Sequence, residues 1–467
     1  MVISISGSSG VGKTTVAELV AAVLGDEETL RISGDDLHRW ERGSPEWGSL
    51  THLNPMANDI DMGTADIKRL IVGKPIIRKT YNHDTGRFDP PVELYPKRFI
   101  VHEGLHALYG DELVGLSDIR IFVDTEESLK TEWKIRRDTK KRGYTAHQVM
   151  DAIRRRSKDE RKYILPQRSR ADSVVAFVRD GETVRLECKH RNDRAKSLLS
   201  RVECLYSDLV RFVSACKRTS LDMTLTQGRG GNVSVKSCEG LIVSESGSVM
   251  SDISIHQGYC ICSSEHIPDL VDEAEYLRRI GEIRRYGKKM PSMETGFHMN
   301  ILHKTVVHTH PLHLNAILCS EGAKNTVANL FKDIPHRFIG YVPPGNRLVA
   351  AIGKSDSSVT FLANHGLIVG CEGESDAVSL TEKINDRCKE WLGSHADVFS
   401  DMGDDHKSPT DAPLFPDAAV FPKEMGSVNR YILRLMESAN LTPRFLSDEE
   451  VVFVVGMAAE RYRKALV

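Results

Sequence analysis

The 467-residue sequence has no excess of charge of either sign and no long apolar run. With 63 basic and 65 acidic residues its net charge is -2, so neither a nucleic acid nor a membrane is an expected partner. No stretch approaches the roughly 18 apolar residues of a membrane span, and the opening MVISISGSSG lacks the basic start of a secretory signal. These absences predict a cytoplasmic protein that acts on small molecules.

Cysteine is sparse and unevenly placed. All nine cysteines lie between Cys188 and Cys388, and their odd number and irregular spacing do not resemble a disulfide framework. Cys260 and Cys262, in YCIC, are soft metal ligands by type, but a second such pair is missing and a buried strand is the alternative interpretation. The uneven distribution, in a chain two to three times as long as an ordinary domain, predicts two halves.

The first half alternates short apolar runs with helical patterns. VISIS, LRIS, KRFIVHEG and IRIFVD are the candidate strands, and this alternation predicts an α/β domain with a parallel, doubly wound sheet. The polar stretch RDGETVRLECKHRNDRAK then changes the pattern. We therefore predict a first domain at residues 1–185, a linker at 186–197 and a second domain at 198–467 with a C-terminal extension.

The second half has a different pattern. An amphipathic helix is predicted from Ser197 to Lys217, followed by strands joined by glycine turns, NVSVK, GLIVSESG, KTVVHTH and SVTFLANHGLIVG. The proline-rich and acidic residues 400–424 predict an extended surface arm. A last helix is predicted over 448–466.

GSSGVGKT, between the first predicted strand and a helix, fits the phosphate-binding pattern G-x-x-x-x-G-K-[ST]. Backbone N–H groups of such a loop hold phosphates, the lysine reaches the β and γ groups, and the threonine hydroxyl binds Mg²⁺. The sequence therefore predicts ATP or GTP binding with Mg²⁺. The residues concerned are Gly7, Gly10, Gly12, Lys13 and Thr14.

The second predicted strand ends in GDDLHRWER, where an α/β sheet binds its ligands. Asp35 could take a proton from a substrate hydroxyl there, and His38 and Arg42 could hold an anionic sugar. A solvated charged loop is the alternative interpretation.

GDDLHRWER, RKTYNHDTGRF, FIVHEGLHA and EWKIRRDTKKRGYTAHQVMDAIRRR, in this order over residues 1–178, resemble the phosphoribulokinase and uridine kinase family. The resemblance implies a sugar or sugar-phosphate kinase in which Asp35 is the catalytic base and Glu103 the carboxylate beside the metal. It implies sugar-phosphate contacts from His38, Arg42, His83 and Lys134. It also implies that Arg137 and Arg142 belong to a basic segment that closes over the transferred phosphoryl group.

A second cluster lies in SMETGFHMNILHKTVVHTH, residues 292–310. His308 and His310 are two apart on a predicted strand and so point to one face, and His365 in LANHG could complete a three-imidazole site for Zn²⁺ or another late divalent metal. Spacing alone leaves ordinary strand packing open. Weaker candidate ligands nearby are His298, His303 and His313.

GRGGNVSVK, LIVSESG, PSMETGFH, VVHTHP and LANHGLIV, in this order over residues 198–395, resemble the class II aldolase and adducin family, which includes fuculose-phosphate aldolases. The resemblance implies a mainly antiparallel sheet, a homo-oligomer with a tetramer favoured, and Glu294 as catalytic acid/base. The implied zinc ligands are His308, His310 and His365. The implied substrate-phosphate contacts are Gly231, Asn232, Ser246, Gly247 and Ser292.

The two resemblances together predict a bifunctional enzyme. ATP would phosphorylate a pentulose-like ketose at C1, and zinc-dependent retro-aldol cleavage would then yield dihydroxyacetone phosphate and an aldehyde. Two alternatives remain for the second half. It could be a sugar-phosphate epimerase or decarboxylase of the same zinc family, or a non-catalytic, adducin-like oligomerisation domain beside an active kinase.

Overall fold

A computed structural model describes residues 1–265, 272–393 and 412–466. The chain divides into two compact units, the first ending at Ser207 and the second beginning at Asp208, so the boundary lies within helix Lys196–Leu221. Within the described ranges, no helix has the length and apolar content that crossing a bilayer requires.

The first unit alternates strands with helices along the chain. Its elements are β1 (Val2–Gly7), α1 (Lys13–Leu24), β2 (Thr29–Ser33), α2 (Ile60–Ile71), β3 (Ile76–Arg78), β4 (Tyr81–Asn82), β5 (Arg87–Phe88), β6 (Val92–Leu94), β7 (Phe99–Gly104), α3 (Asp111–Leu116), β8 (Ile119–Val123), α4 (Glu127–Arg142), α5 (Ala146–Asp159), β9 (Ser173–Asp180) and β10 (Thr183–His190). Helix α6 (Lys196–Leu221) follows.

The main sheet of the first unit has the order β10-β9-β8-β1-β7-β2 and is parallel except at the edge, where β10 runs antiparallel to β9. Strand β1 is buried at all six positions, as expected for a central parallel strand covered on both faces. This confirms the predicted parallel α/β fold. The carboxyl ends of β1, β2 and β7 meet at one edge, where ligands bind in sheets of this kind.

The residues predicted as a linker, 186–197, are not an open connection. They contain the second half of β10 and the start of α6. The polar pattern misled the prediction because β10 is an edge strand with half of its side chains exposed and only one buried.

The second unit has more strands in direct succession. After α6 its elements are β11 (Asn232–Ser237), β12 (Gly240–Ser244), β13 (Tyr259–Cys262), α7 (Glu273–Glu282), β14 (Arg284–Tyr286), α8 (Thr295–Asn300), β15 (Thr305–Thr309), α9 (Leu312–Leu318), α10 (Ala323–Leu330), β16 (Arg337–Ile339), α11 (Asn346–Ile352), β17 (Val359–Leu362), β18 (Gly366–Cys371), α12 (Glu374–Leu392), α13 (Pro416–Val420), α14 (Pro422–Ser438), α15 (Asp448–Gly456) and α16 (Ala458–Ala465).

Its eight-stranded sheet has the order β14-β13-β12-β11-β15-β18-β17-β16, antiparallel except for the edge pair β16 and β17. This confirms the mainly antiparallel sheet. Strand β15 lies between β11 and β18, with His308 opposite Asn232 on one side and Ile368 on the other. The strand pairing therefore brings the motifs GRGGNVSVK, VVHTHP and LANHGLIV next to one another.

The predicted surface arm is wrong for the part that the structure describes; residues 400–411 lie outside the described residues. Pro416 and Pro422 begin α13 and α14, where the missing N–H costs no hydrogen bond, and Phe415 is buried in the core of the second unit. The predicted last helix is two helices, α15 and α16, which meet at Met457.

Candidate active sites

The loop between β1 and α1 has the backbone of a phosphate-binding loop. Gly10 and Gly12 have φ values of 89° and 91°, in the left-handed region that favours glycine. A Cβ on Gly12 would also lie only 2.5 Å from Cε2 of Phe177. Gly7 ends β1 just before this loop, so the predicted glycines surround the N-terminus of α1, where backbone N–H groups attract anions.

Lys13 and Thr14 begin α1 beside this loop. The Nζ of Lys13 donates to the carbonyl oxygen of Ser8 at 2.9 Å, and the Thr14 hydroxyl donates to Oε1 of Glu103 at 3.3 Å. Burial lowers the pKa of Lys13 and raises the pKa of Glu103 to about 7. The hydroxyl and the carboxylate thus form an oxygen pair suited to Mg²⁺.

Asp35 follows the end of β2 and faces two imidazoles. Its Oδ2 lies 2.9 Å from Nε2 of His83, and its Oδ1 lies 3.9 Å from Nε2 of His38. Burial opposes ionisation of Asp35, but the hydrogen bond from His83 and the charges of the two imidazoles prevail and lower its pKa. Asp35 is therefore held as a carboxylate, the form that can accept a proton.

A group of cations lies around His83. The Arg42 guanidinium donates to the His83 carbonyl at 2.5 Å, and Nη2 of Arg142 lies 3.1 Å from Nδ1 of His83. Arg142 and Arg137 both contact Asp138, at 3.3 and 2.8 Å. The structure therefore brings these predicted residues to the same edge of the sheet as Asp35.

Lys134 lies one turn before Arg137 on α4 and is almost fully buried. A Cβ on Gly10 would lie 3.4 Å from Cβ of Lys134, which places this lysine against the phosphate-binding loop. Burial and the nearby charges of Arg156 and Arg137 lower its pKa to about 7. An anion bound here would stabilise its charged form.

In the second unit, three buried imidazoles converge. His308 lies on β15, His310 follows that strand, and His365 lies in the turn between β17 and β18. Their ring centroids are 4.9, 5.0 and 5.1 Å apart, and one nitrogen of each lies within 4.8 Å of the other two. This spacing is suited to one shared metal ion.

Backbone geometry orients these rings. Nδ1 of His308 lies 2.9 Å from the Leu367 carbonyl oxygen, so its Nε2 faces the shared centre, 3.1 Å from Nε2 of His310. Asn364, which precedes His365, has a left-handed φ of 52°, and its amide donates to the Leu414 carbonyl at 2.8 Å. The tight turn and its anchoring direct His365 inward.

Glu294, at the N-terminus of α8, completes the cluster. Its Oε2 lies 3.5 Å from Nε2 of His308, and its Oε1 lies 3.4 Å from Nε2 of His365. The amide of Asn232 donates to Oε2 at 2.7 Å. Asn232 therefore fixes Oε2, which also faces His308, while Oε1 faces His365.

His298, a weaker candidate ligand in the sequence, has a different place. Its Nε2 contacts the amide oxygen of Asn232, and its Nδ1 lies 2.7 Å from the Ser234 hydroxyl. His298 therefore orients Asn232, which in turn holds Glu294.

The donor set fits a late divalent metal. Burial lowers the pKa of His308, and it lowers that of His365 to about 3, so both rings are neutral and offer a lone pair. Oε1 of Glu294 is buried without a hydrogen-bond partner among the described residues, an arrangement that a cation would satisfy. Three imidazoles that leave a coordination position open are typical of catalytic zinc.

The predicted phosphate-binding residues line the same cavity, of about 40 Å³, as Glu294, His310 and His365. They are Gly231, Asn232, Ser246, Gly247 and Ser292. Gly231 and Gly247 have φ values of 75° and 72°, and a Cβ on Gly231 would lie 2.6 Å from the His308 carbonyl oxygen. The predicted phosphate-binding loops and the imidazoles therefore face the same cavity.

Five further charged residues of this cavity were missed from the sequence: Arg229, Glu245, Asp417, Glu460 and Arg463. Arg229 adjoins the GGN motif and Glu245 precedes Ser246 in the SESG motif, and these positions were the signals available. The proline-rich pattern around Asp417 predicts a surface arm, and the spacing of Glu460 and Arg463 is that of an ordinary exposed pair on a helix.

Comparison with known proteins assigns the two halves of the chain to two different families. Residues 2–184 match the Phosphoribulokinase / Uridine kinase family, and residues 211–392 match the Class II Aldolase and Adducin N-terminal domain. Phosphoribulokinase of Synechocystis sp. is 37% identical over 178 residues, which cover 38% of this chain and 54% of the relative. The chain spans about half the length of the phosphoribulokinases it matches.

Uridine kinase of Lactiplantibacillus plantarum is 30% identical over 179 residues, which cover 38% of this chain and 86% of the relative. Among solved structures, the N-terminal class II aldolase domain of a conserved protein from Thermoplasma acidophilum is similar to 40% of this chain over 93% of its own length, with 21% identity and a TM-score of 0.36.

Proposed function

We propose a two-step function for this chain, which belongs to the phosphoribulokinase/uridine kinase family through its first unit and carries a class II aldolase-like domain in its second. The first step phosphorylates the C1 hydroxyl of a pentulose-like ketose with ATP. The second cleaves the C3–C4 bond of the ketose 1-phosphate and yields dihydroxyacetone phosphate and an aldehyde. The observation that carries the proposal is the convergence of Glu294 with His308, His310 and His365 in a chain that also has a phosphate-binding loop.

The kinase step depends on charge placed at the edge of the parallel sheet. A magnesium ion held by Thr14 and Glu103 would neutralise charge on the nucleotide phosphates. Asp35 takes the proton of the sugar hydroxyl, and its contact with His83 fixes the carboxylate for that transfer. Arg42 and Arg142, which surround His83, would attract the phosphate of an acceptor that is itself a ketose phosphate.

The lyase step depends on Glu294 and on the phosphate loops. Zinc held by the three imidazoles would polarise the ketose carbonyl. Glu294, held by Asn232 through Oε2, uses Oε1 to move a proton at the reacting carbon. Ser246 and Gly247 hold the substrate phosphate in the same cavity and so fix the distance of that carbon from Glu294.

The test is an incubation of the protein with ATP, Mg²⁺, Zn²⁺ and a panel of ketoses and ketose phosphates, with ADP and dihydroxyacetone phosphate measured in the same samples. We expect one substrate to give both products. If no ketose yields dihydroxyacetone phosphate while prepared ketose 1-phosphates are cleaved, the coupling of the two steps is wrong. If those are not cleaved either, the lyase proposal is wrong.

The same samples distinguish the other activities of the second unit. A C4 epimer seen by nuclear magnetic resonance would favour an epimerase, and released CO₂ would favour a decarboxylase. Purified protein with far less than one zinc per chain would favour an adducin-like oligomerisation domain. We expect a homo-oligomer, with a tetramer favoured, and light scattering measures its mass.

A further inference from the structure

The end of the second unit contributes to the candidate metal site. We use "C-terminal segment" for residues 412–466, which follow the part matched by the class II aldolase family, residues 211–392. This segment places three charged side chains in the wall of the metal cavity, and all three are buried or nearly so. They are Asp417, Glu460 and Arg463, with side-chain exposures of 6%, 1% and 12%.

These charges form a chain of alternating sign that ends on a predicted metal ligand. Glu460 contacts Nη1 of Arg463 with both carboxylate oxygens at 2.9 Å. Arg463 in turn donates from both Nη1 and Nη2 to Oδ1 of Asp417 at 3.1 Å. The other oxygen, Oδ2, lies 3.1 Å from Nδ1 of His310. Both of these atoms are buried, and neither forms a hydrogen bond of regular geometry with any described residue, so the 3.1 Å contact leaves each without a competing partner.

Two glycines lie so close to the His310 ring that a side chain at either position would collide with it. A Cβ on Gly230 would lie 2.8 Å both from Oδ2 of Asp417 and from Nδ1 of His310. On the other side of the ring, a Cβ on Gly366 would lie 2.9 Å from Cδ2 of His310. The imidazole of His310 is therefore enclosed by two glycines and turned toward Asp417.

His308 gives an internal comparison. Its Nδ1 faces the carbonyl oxygen of Leu367, an acceptor, and its Nε2 faces the shared centre. His310 has the same arrangement of nitrogens, with the Asp417 carboxylate in place of the carbonyl. An acceptor on the outer nitrogen fixes the tautomer and raises the basicity of a metal-binding histidine.

We propose that Asp417 is a positioning residue for His310: it accepts the Nδ1–H and keeps the Nε2 lone pair directed at the metal. Arg463, itself held by Glu460, occupies the other oxygen and keeps Asp417 in place. The proposal rests on the proposed zinc site. It makes the C-terminal segment part of that site, although the segment supplies no metal ligand.

The test is the zinc affinity of the full-length D417N variant, measured by competition with a chromophoric chelator. Asparagine keeps the shape of Asp417 but removes its charge, and we expect zinc to bind about 10- to 100-fold more weakly. The cobalt-substituted variant should show a changed visible absorption spectrum, because the orientation of His310 differs. D333N is the matched control, since Asp333 is an exposed partner of Arg387 outside the cavity.

R463Q provides a second route, because it removes the support of Asp417 and leaves both Asp417 and His310 unchanged. We expect a loss of zinc affinity smaller than that of D417N, and circular dichroism verifies the fold of each variant. If the wild-type protein binds no zinc, the proposed metal site is wrong and this inference falls with it. If the wild type binds zinc and either correctly folded variant binds it equally tightly, with an unchanged cobalt spectrum, this inference alone is wrong.

Discussion

Glu294 is the residue on which the proposed lyase chemistry depends most. It is 6% exposed, one of its oxygens is held by the amide of Asn232 at 2.7 Å, and the other is directed at His365 at 3.4 Å. The E294Q substitution keeps the size of the side chain and an oxygen that accepts from Asn232. It removes the group that can carry a proton.

The expected size of the effect follows from that difference. A positioned acid or base contributes about 10²- to 10⁴-fold to rate, which is about 3 to 5.5 kcal/mol at 1.36 kcal/mol per factor of ten. We therefore expect the kcat for cleavage of the ketose 1-phosphate to fall by that factor. The KM should change little, because the phosphate loops and the three imidazoles remain in place.

The assay is steady-state cleavage of a prepared ketose 1-phosphate, with dihydroxyacetone phosphate as the measured product and ADP formation as the measure of the kinase. E282Q is the matched control, because the Glu282 side chain at the end of α7 is about half exposed. Activity of E294Q within tenfold of the wild type, at full zinc content, would refute the assignment of Glu294 as the proton carrier. A parallel loss of zinc would instead make Glu294 chiefly a ligand.

Three further expectations concern both units. D35N should lower ADP formation by about 10²- to 10⁴-fold and leave cleavage of prepared ketose 1-phosphates unchanged, and a kinase within tenfold of the wild type would contradict the base assignment. Burial lowers the pKa of Lys134 to about 7. Between that pH and the ordinary lysine pKa the unfolded chain therefore binds more protons than the folded chain. The destabilising effect of Lys134 on the fold consequently weakens as the pH rises through this window. K134M should therefore raise the Tm most below pH 7 and progressively less toward pH 10, and a constant difference would contradict this reasoning. G366A should greatly weaken zinc binding, measured by chelator competition, because its Cβ would lie 2.3 Å from the Thr309 carbonyl oxygen, and unchanged affinity would show that the turn can move.

Much of the first unit was predictable because its signals are local. The phosphate-binding loop combines a buried strand, left-handed glycines and a helix start within a few residues, and each has its own sequence requirement. The edge strand β10 was not recognised, because exposed side chains on an edge strand read as a polar loop. The same limit applies to α13. Pro416, in a proline-rich stretch, predicts an extended chain, but it stands at the first helical position.

The histidine cluster could be predicted only in part from spacing. The HxH pattern requires a strand, and His308 does lie on β15, but His310 follows its last residue and owes its direction to the enclosing glycines. His365 owes its place to a turn whose left-handed Asn364 is anchored to carbonyls of the C-terminal segment. Such long-range contacts leave no periodic pattern in the sequence. The histidine spacing alone is therefore compatible with ordinary strand packing, and the family resemblance is what favours a metal site.

The charged residues of the C-terminal segment were also not predictable as part of the site. Glu460 and Arg463 are three residues apart on a helix, a spacing that on an exposed surface contributes only a few tenths of a kcal/mol. The structure buries Glu460 and Asp417 and leaves the Arg463 side chain 12% exposed. Removing charges from water costs several kcal/mol per ion, which their mutual attraction recovers only with good geometry. A gain in stability alone therefore does not explain why Asp417, Glu460 and Arg463 lie together in this cavity. Their geometry is instead ordered toward His310, since Arg463 occupies one oxygen of Asp417 and leaves the other for the imidazole.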